Sequence, residues 1–186
     1  MKKQPTYLFC KYFSLVLVFV FIWGRSSGQL DKKDRRLVED SRDAIADFIH
    51  TDALMKNLFS GAYGYVVFPS VGKGAVGVGG ASGGGTVFEK DSVVGKAQMT
   101  QVTIGFQFGG QAYREVVFFQ DKKTLDRFKQ NKVEFSAQVS AVAAKAGASG
   151  NAKYTGGILI FTQQKGGLMY EASVGGQKFK YTPFNK

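Results

Sequence analysis

The chain offers few side chains able to do chemistry, and that scarcity narrows what it can do. Of its 186 residues one is histidine, His50, and one is cysteine, Cys10. A zinc site needs several imidazole or thiolate ligands and a thiol enzyme needs a cysteine beside a base, so neither chemistry is within reach. His50 follows Phe48 and Ile49 near the expected end of a helix, where a cation sits well against exposed carbonyls, and is read as structural. Asp, Glu, Ser, Tyr and Lys remain, but no spacing among them forms a recognisable constellation. The expectation is therefore a protein with no catalytic residue, metal ligand or cofactor. Gly72, Gly74 and Gly77 do satisfy G-x-G-x-x-G, yet Val78-Gly79-Gly80-Ala81-Ser82-Gly83 cannot open the helix on which a pyrophosphate would rest.

What remains is charge. The chain carries a formal +11, of which the four cations Lys2, Lys3, Lys11 and Arg25 lie in the first 28 residues, leaving +7 on the rest. Four lysines converging on an anionic bilayer would each contribute about 1 kcal/mol, which amounts to roughly millimolar binding. Useful affinity therefore needs a defined pocket for a negatively charged headgroup. The segment Ser70 to Gly85 has the backbone freedom to form one, read as a glycine loop whose N–H groups from Gly72 and Gly74 flank Lys73. Lys165 and Lys178 are weaker candidates. Nucleic acid is set aside as a partner, because the aromatic residues fall within hydrophobic strand patterns rather than forming a stacking platform.

The elements that must position these residues follow from periodicity. Residues 1–28 read as a signal peptide: lysines precede an apolar run from Leu15 to Trp23, and Ser26-Ser27-Gly28 offers small residues for cleavage. As a helix, Phe13 to Trp23 would span about 16 Å against a hydrocarbon core of about 30 Å, though an uncleaved anchor stays open. Cys10 and Trp23 leave with this segment, so the remainder holds no disulfide and depends on packing. Its location is expected to be secreted or periplasmic, peripheral to a membrane. Residues 29–60 form a helical segment of the same domain, with an amphipathic helix from Asp31 to His50 and a second short helix capped by Thr51 or Asp52 and ended by Gly61. Its alternating charges favour docking on a sheet over lying on a bilayer.

Residues 61–186 are β-rich. Strands are expected at Tyr63 to Phe68, Val71 to Gly79, Thr86 to Glu89, Gln101 to Phe108, Glu115 to Gln120, Val133 to Ala143, Gly157 to Gln163 and Leu168 to Gly175. Ala81 to Gly85 reads as a loop, and so does Lys145 to Lys153. Asp121 caps a helix from Lys122 to Gln130. The fold class is α+β: a glycine-rich antiparallel core of seven or eight strands with its helices on one side. Gly alternating with Val, Ile and Phe, as in Val76-Gly77-Val78-Gly79, leaves one strand face nearly bare, for tight packing or for a ligand. A lipid-embedded barrel is disfavoured by the interrupting helices and the lack of lipid-facing bands.

Three blocks in order carry a family resemblance. Tyr63-Gly64-Tyr65-Val66-Val67-Phe68-Pro69 with Gly72-Lys73-Gly74 and the glycines to Val87 resembles the opening block of the SYLF lipid-binding domain. Ile104-Gly105-Phe106-Gln107-Phe108-Gly109-Gly110-Gln111 followed by Glu115 to Phe119 is similar to its central block. Gln164-Lys165-Gly166-Gly167-Leu168 with Ala172-Ser173-Val174-Gly175-Gly176 is similar to its closing block. The resemblance implies non-catalytic binding of anionic phospholipid, phosphoinositide or phosphatidic acid, with the family's basic residue falling on Lys73. Some eukaryotic relatives engage actin filaments. The signal peptide and the lack of an appended interaction domain disfavour actin here and point to the stand-alone bacterial type, for which phosphatidic acid, phosphatidylglycerol or cardiolipin fits better. The alternative is a structural or protein-interaction module of the cell envelope whose glycine face only packs internally.

Overall fold

A computed structural model describes residues 30–76, 78–104, 111–132, 141–165 and 176–184, with the backbone alone at 73–76, 78–79, 103–104 and 111. The expected strand from Leu168 to Gly175, half of that from Gln101 to Phe108 and most of that from Val133 to Ala143 lie outside the described residues, as does the 1–28 segment.

Helix α1, Lys32–Thr51, starts where Asp31 accepts a 2.7 Å hydrogen bond from the Asp34 amide. That bond holds the Asp31 carboxyl below its usual range. The buried positions Asp34, Val38, Ser41, Ala44 and Phe48 recur every three or four residues, forming one stripe. Helix α2, Met55–Gly61, follows, but with Leu54 at its cap position. Asp52 is not the cap; its buried carboxylate accepts from the amides of Leu54 and, at 2.8 Å, Ser149. It thereby ties the junction of the two helices to the turn of 3-10 helix at Ala148–Asn151, where a loop was expected.

The strands are β1, Gly64–Val76; β2, Val78–Glu89; β3, Ser92–Ile104; β4, Gln111–Phe119; β5, Val142–Ala143; β6, Ile158–Gln164; and β7, Gln177–Pro183. They form a seven-stranded sheet in the order β5-β6-β4-β1-β2-β3-β7, antiparallel throughout except that β5 runs parallel to β6. The fold is α+β, with a mixed rather than purely antiparallel core. Between β4 and β5 the chain forms α3, Lys122–Lys129, whose cap is Asp121, accepting from the Thr124 amide at 2.8 Å.

Two expectations are corrected. The helices do not share one side: α1 and α2 pack Ala44, Phe48, Met55 and Phe59 on Tyr65, Val67, Val116 and Phe118. Helix α3 instead packs Leu125 and Phe128 with Val66, Phe68, Val117 and Phe119, the alternate positions of the same strands. With both faces covered, β4 reads as an unbroken apolar run, Val116-Val117-Phe118-Phe119. The stretch Ala81 to Gly85 is no loop either; it lies within β2, paired throughout with β3 and, at Ala81 and Ser82, also with β1.

The sheet is strongly curled toward α3. Four strand steps of about 4.8 Å would hold β4 and β7 about 19 Å apart in a flat sheet. Yet the buried side chain of Gln177 on β7 donates from Nε2 to Glu115 Oε2 on β4 at 2.8 Å. The rings of Phe68 on β1 and Phe179 on β7 approach to 5.8 Å, and those of Phe128 and Phe179 to 5.4 Å. Close strand approach needs missing side chains at particular places. A Cβ on Gly85 would lie 2.7 Å from the Val67 carbonyl oxygen and 2.6 Å from the Phe68 ring, whereas one on Gly72 would meet nothing within 4 Å. Gly85→Ala is expected to lower the unfolding midpoint in urea, by about 1–3 kcal/mol of overpacking. Gly72→Ala should leave it within about 0.5 kcal/mol. Equal effects of the two would refute this division of the glycines.

Candidate functional site

The expected pocket at Ser70 to Gly85 is corrected first. Gly72 pairs with Ser82 and Ala112, Lys73 with Ala81 and Gln111, and Gly74 with Gly80. Their backbone is a strand inside the sheet ladder, not a loop of amides turned outward, so no headgroup nest forms there from the backbone. The side chain of Lys73 lies outside the described residues.

The basic residues gather elsewhere. Where the N-terminal half of α1 crosses the sheet, a groove of about 770 Å³ opens between the helix and residues of β1, β2, β3 and β7. Its floor is built from small or compact residues, Gly84, Ala97, Pro69 and Ser70, and its rim carries Lys33 and Arg36 from α1, Lys96 from β3 and Lys180 from β7. Lys33 and Arg36 are three apart on one helix, so they share a face. Lys180 is opposite Gln98 in the β3–β7 register. Two carboxylates enter the groove, Asp34 and Asp40, and Lys96 Nζ holds both oxygens of Asp34, at 2.7 and 2.9 Å. Four cations face two anions.

The helix is held over this floor by polar as well as apolar contacts. Ser41 Oγ donates to the Leu37 carbonyl at 2.7 Å and lies 2.9 Å from Thr86 Oγ1, and both side chains are fully buried. Thr86 Oγ1 in turn lies 3.2 Å from the Leu37 carbonyl, so helix and sheet share one small hydrogen-bond network.

The other two sequence candidates separate. Lys178 is exposed on β7 opposite Thr100, two residues from Lys180 and so on the groove side of the sheet. Lys165 lies beyond β6 and lines a smaller groove of about 380 Å³ with Asp40, Asp43, Asp47 and Arg114. Arg114 is paired with Asp47 there. Three carboxylates make that groove a poor place for an anion. His50 is exposed in the last turn of α1.

A second polar group is internal. Glu115 is 0% exposed, and burial pushes its carboxyl up to about 7, against the weaker pull of the Gln177 bond. Its cross-strand partner is Thr162, and the next pair along the same face is Tyr113 and Gln164. Burial, together with the charge of Glu115, raises the Tyr113 hydroxyl well above its ordinary value. Glu115 Oε1, Thr162 Oγ1, Gln164 Oε1 and Gln177 Oε1 accept no hydrogen bond. A cluster so rich in acceptors favours the protonated carboxyl, which supplies a donor. One sign of it is legible in the residues, a glutamate at the head of the apolar run Val116 to Phe119.

Among the described residues no three His, Cys, Asp or Glu side chains come together as a metal site, and no helix is long and apolar enough to cross a membrane. The architecture is a curled sheet between helices, with a basic groove beside the longest of them. Residues 100–182 match the family described as Ysc84, Las17-binding protein actin regulator. The chain is also 32% identical, over 124 residues, to the protein named Beta cell expansion factor A from Aeromonas veronii. That match takes in 67% of this chain and 48% of the relative, so the chain spans about half the length of that curated protein. The chain belongs to the Ysc84/SYLF family.

The folded pKa of Glu115 lies above the ordinary 4.5, so its stabilising protonated form is fully present below about 4.5 and is lost as pH rises through about 7. The interval corresponds to ~3 kcal/mol. Glu115→Gln should therefore flatten the fall of the urea midpoint between about pH 4.5 and about pH 7, and should be the more stable form above that range. Parallel pH profiles for the variant and the parent protein would show that Glu115 does not carry this dependence.

Proposed function

We propose that the protein binds the phosphate-bearing headgroup of an anionic phospholipid at a membrane surface, without catalysis, and that it acts outside the cytoplasm, secreted or periplasmic. The observation that carries this reading is the groove: Lys33, Arg36, Lys96 and Lys180 surround a small-residue floor with two carboxylates among them. Asp34 already occupies Lys96, which leaves the helix cations and Lys180 to meet an incoming anion. The family is compatible with lipid or protein binding, and the charge balance favours the anionic lipid. Lys178, on the same side of the sheet, adds to the field; Lys165 sits among aspartates and does not. Gly72, Lys73 and Gly74 are left to a strand role rather than to a nest of backbone donors.

Sedimentation with vesicles of phosphatidylcholine, with and without phosphatidic acid, tests the proposal. The parent protein should pellet with the anionic vesicles alone, less so as salt rises. Replacing Lys33 and Lys180 together by Ala removes about 2 kcal/mol, close to thirtyfold in affinity, at about 1 kcal/mol per cation. Lys165→Ala should change binding less than twofold. Binding that ignores lipid charge would reject the headgroup reading in favour of a protein-interaction module.

A further inference from the structure

The groove sits at one end of a longer exposed surface. Along β3 the residues turned to the α1 side are Lys96, Gln98, Thr100 and Val102, and along β7 they are Lys178, Lys180 and Thr182. Helix α1 covers this side of the sheet near Lys96, at the groove, while Thr100 and Val102 are exposed. Val102 is 71% exposed and is, with Leu54 at 46%, one of two large hydrophobic side chains so exposed among the described residues. Its cross-strand partner on β2 is Gly80, which brings no side chain to shield it. Six residues of strand place Val102 about 20 Å from Lys96, with Lys178 and Lys180 alongside the interval.

We propose that this strip is the face laid on the bilayer: the lysines of β7 and the groove meet the headgroups while Val102 enters the apolar boundary as an insertion residue. The inference rests on the headgroup reading above and adds to it an orientation and an apolar contact. Two features favour a lipid surface over a protein partner. The strip is dominated by cations, with Asp34 and Asp40 confined to the groove end, which complements an anionic membrane. The apolar element is a single prominent valine rather than a patch, which suits shallow insertion among acyl chains more than the packed centre of a protein interface. Exposure of a β-branched apolar residue at a strand position whose neighbours are Thr100 and Gly80 gives the folded protein no packing return.

Full withdrawal of a valine side chain from water is worth about tenfold or more in an equilibrium constant, so the contact is large enough to measure. The full chain is compared as parent, Val102→Asp and Val102→Trp, using vesicles of phosphatidylcholine with about one-third phosphatidic acid. Val102→Asp is expected to weaken vesicle binding about tenfold or more. The added tryptophan should show blue-shifted emission on binding, relative to the parent protein, and quenching by lipids brominated on the acyl chains. Should aspartate disturb the strand, Val102→Thr, isosteric and β-favouring, gives the same comparison with the fold retained. Binding of Val102→Asp equal to the parent, with unquenched emission from Val102→Trp, overturns the docking face and leaves the headgroup groove standing. Failure of the parent protein itself to distinguish anionic from neutral vesicles removes both. Loss of binding in the Lys33 and Lys180 double variant, together with full binding by Val102→Asp, assigns all the affinity to the groove and likewise sinks the insertion.

Discussion

The hydrogen bond from Gln177 to Glu115 joins the first described residue of β7 to the middle of β4, over three intervening strands. Few contacts say more about a sheet's shape. It requires the β1-β2-β3 ribbon to curl, and the curl explains both faces. On the inside, Phe68, Phe128 and Phe179 meet and the polar residues of β4, β6 and β7 converge. On the outside the surface is convex. A straight helix laid on a convex sheet touches it along a limited line, so α1 buries one stripe and stands away from β3 and β7. The groove is that gap.

Glycine distribution follows from the same geometry. At Gly85 the strands come so close that a β-carbon would strike the Val67 carbonyl, within the region where β1 and β2 shift register. Ser41 and Thr86 then fasten α1 to the outer side of that crowded place, both at 0% exposure. Gly72 serves no such contact. Gly80 brings no side chain beside Val102, which stands out on the exposed sheet face.

Much of this was legible in the residues. The three helices are legible from apolar spacing and, for α3, from Asp121 at its start, because capping is a local interaction. The β1 and β4 cores were visible as apolar runs. What escaped was set by distant partners. The first half of β3, from Ser92 to Thr100, mixes Lys96, Gln98 and Thr100 with Ala97 and Met99, and its weak alternation gains meaning from Phe179 on the neighbouring strand. Strand β7 carried a period-two signal in Lys178-Phe179-Lys180-Tyr181 that its high charge masked. Ala81 to Gly85 reads as a loop by local glycine propensity, while continuous pairing with β3 fixes it as strand. The groove was hidden for the same reason. Lys33 and Arg36 look balanced by aspartates along the chain, and their convergence with Lys180, some 145 residues later, is a product of the curl.

The two polar centres are therefore mechanically linked. Strand β7 turns Gln177, Phe179 and Tyr181 inward and Lys178, Lys180 and Thr182 outward, so one cation of the groove, Lys180, stands on the strand that Glu115 helps to hold. The Tyr181 amide, on the outer edge of that strand, donates at 2.7 Å to Asn131 Oδ1. Asn131 adopts a left-handed backbone, φ +58°, to offer that oxygen. With its edge occupied and its inner face latched, β7 keeps Lys180 at a fixed distance from α1. A charge placed on Glu115 would strain the latch from inside, because burial disfavours the carboxylate more than the Gln177 hydrogen bond favours it. The position of the outer lysines is in this sense determined by an uncharged contact on the opposite face of the same strand.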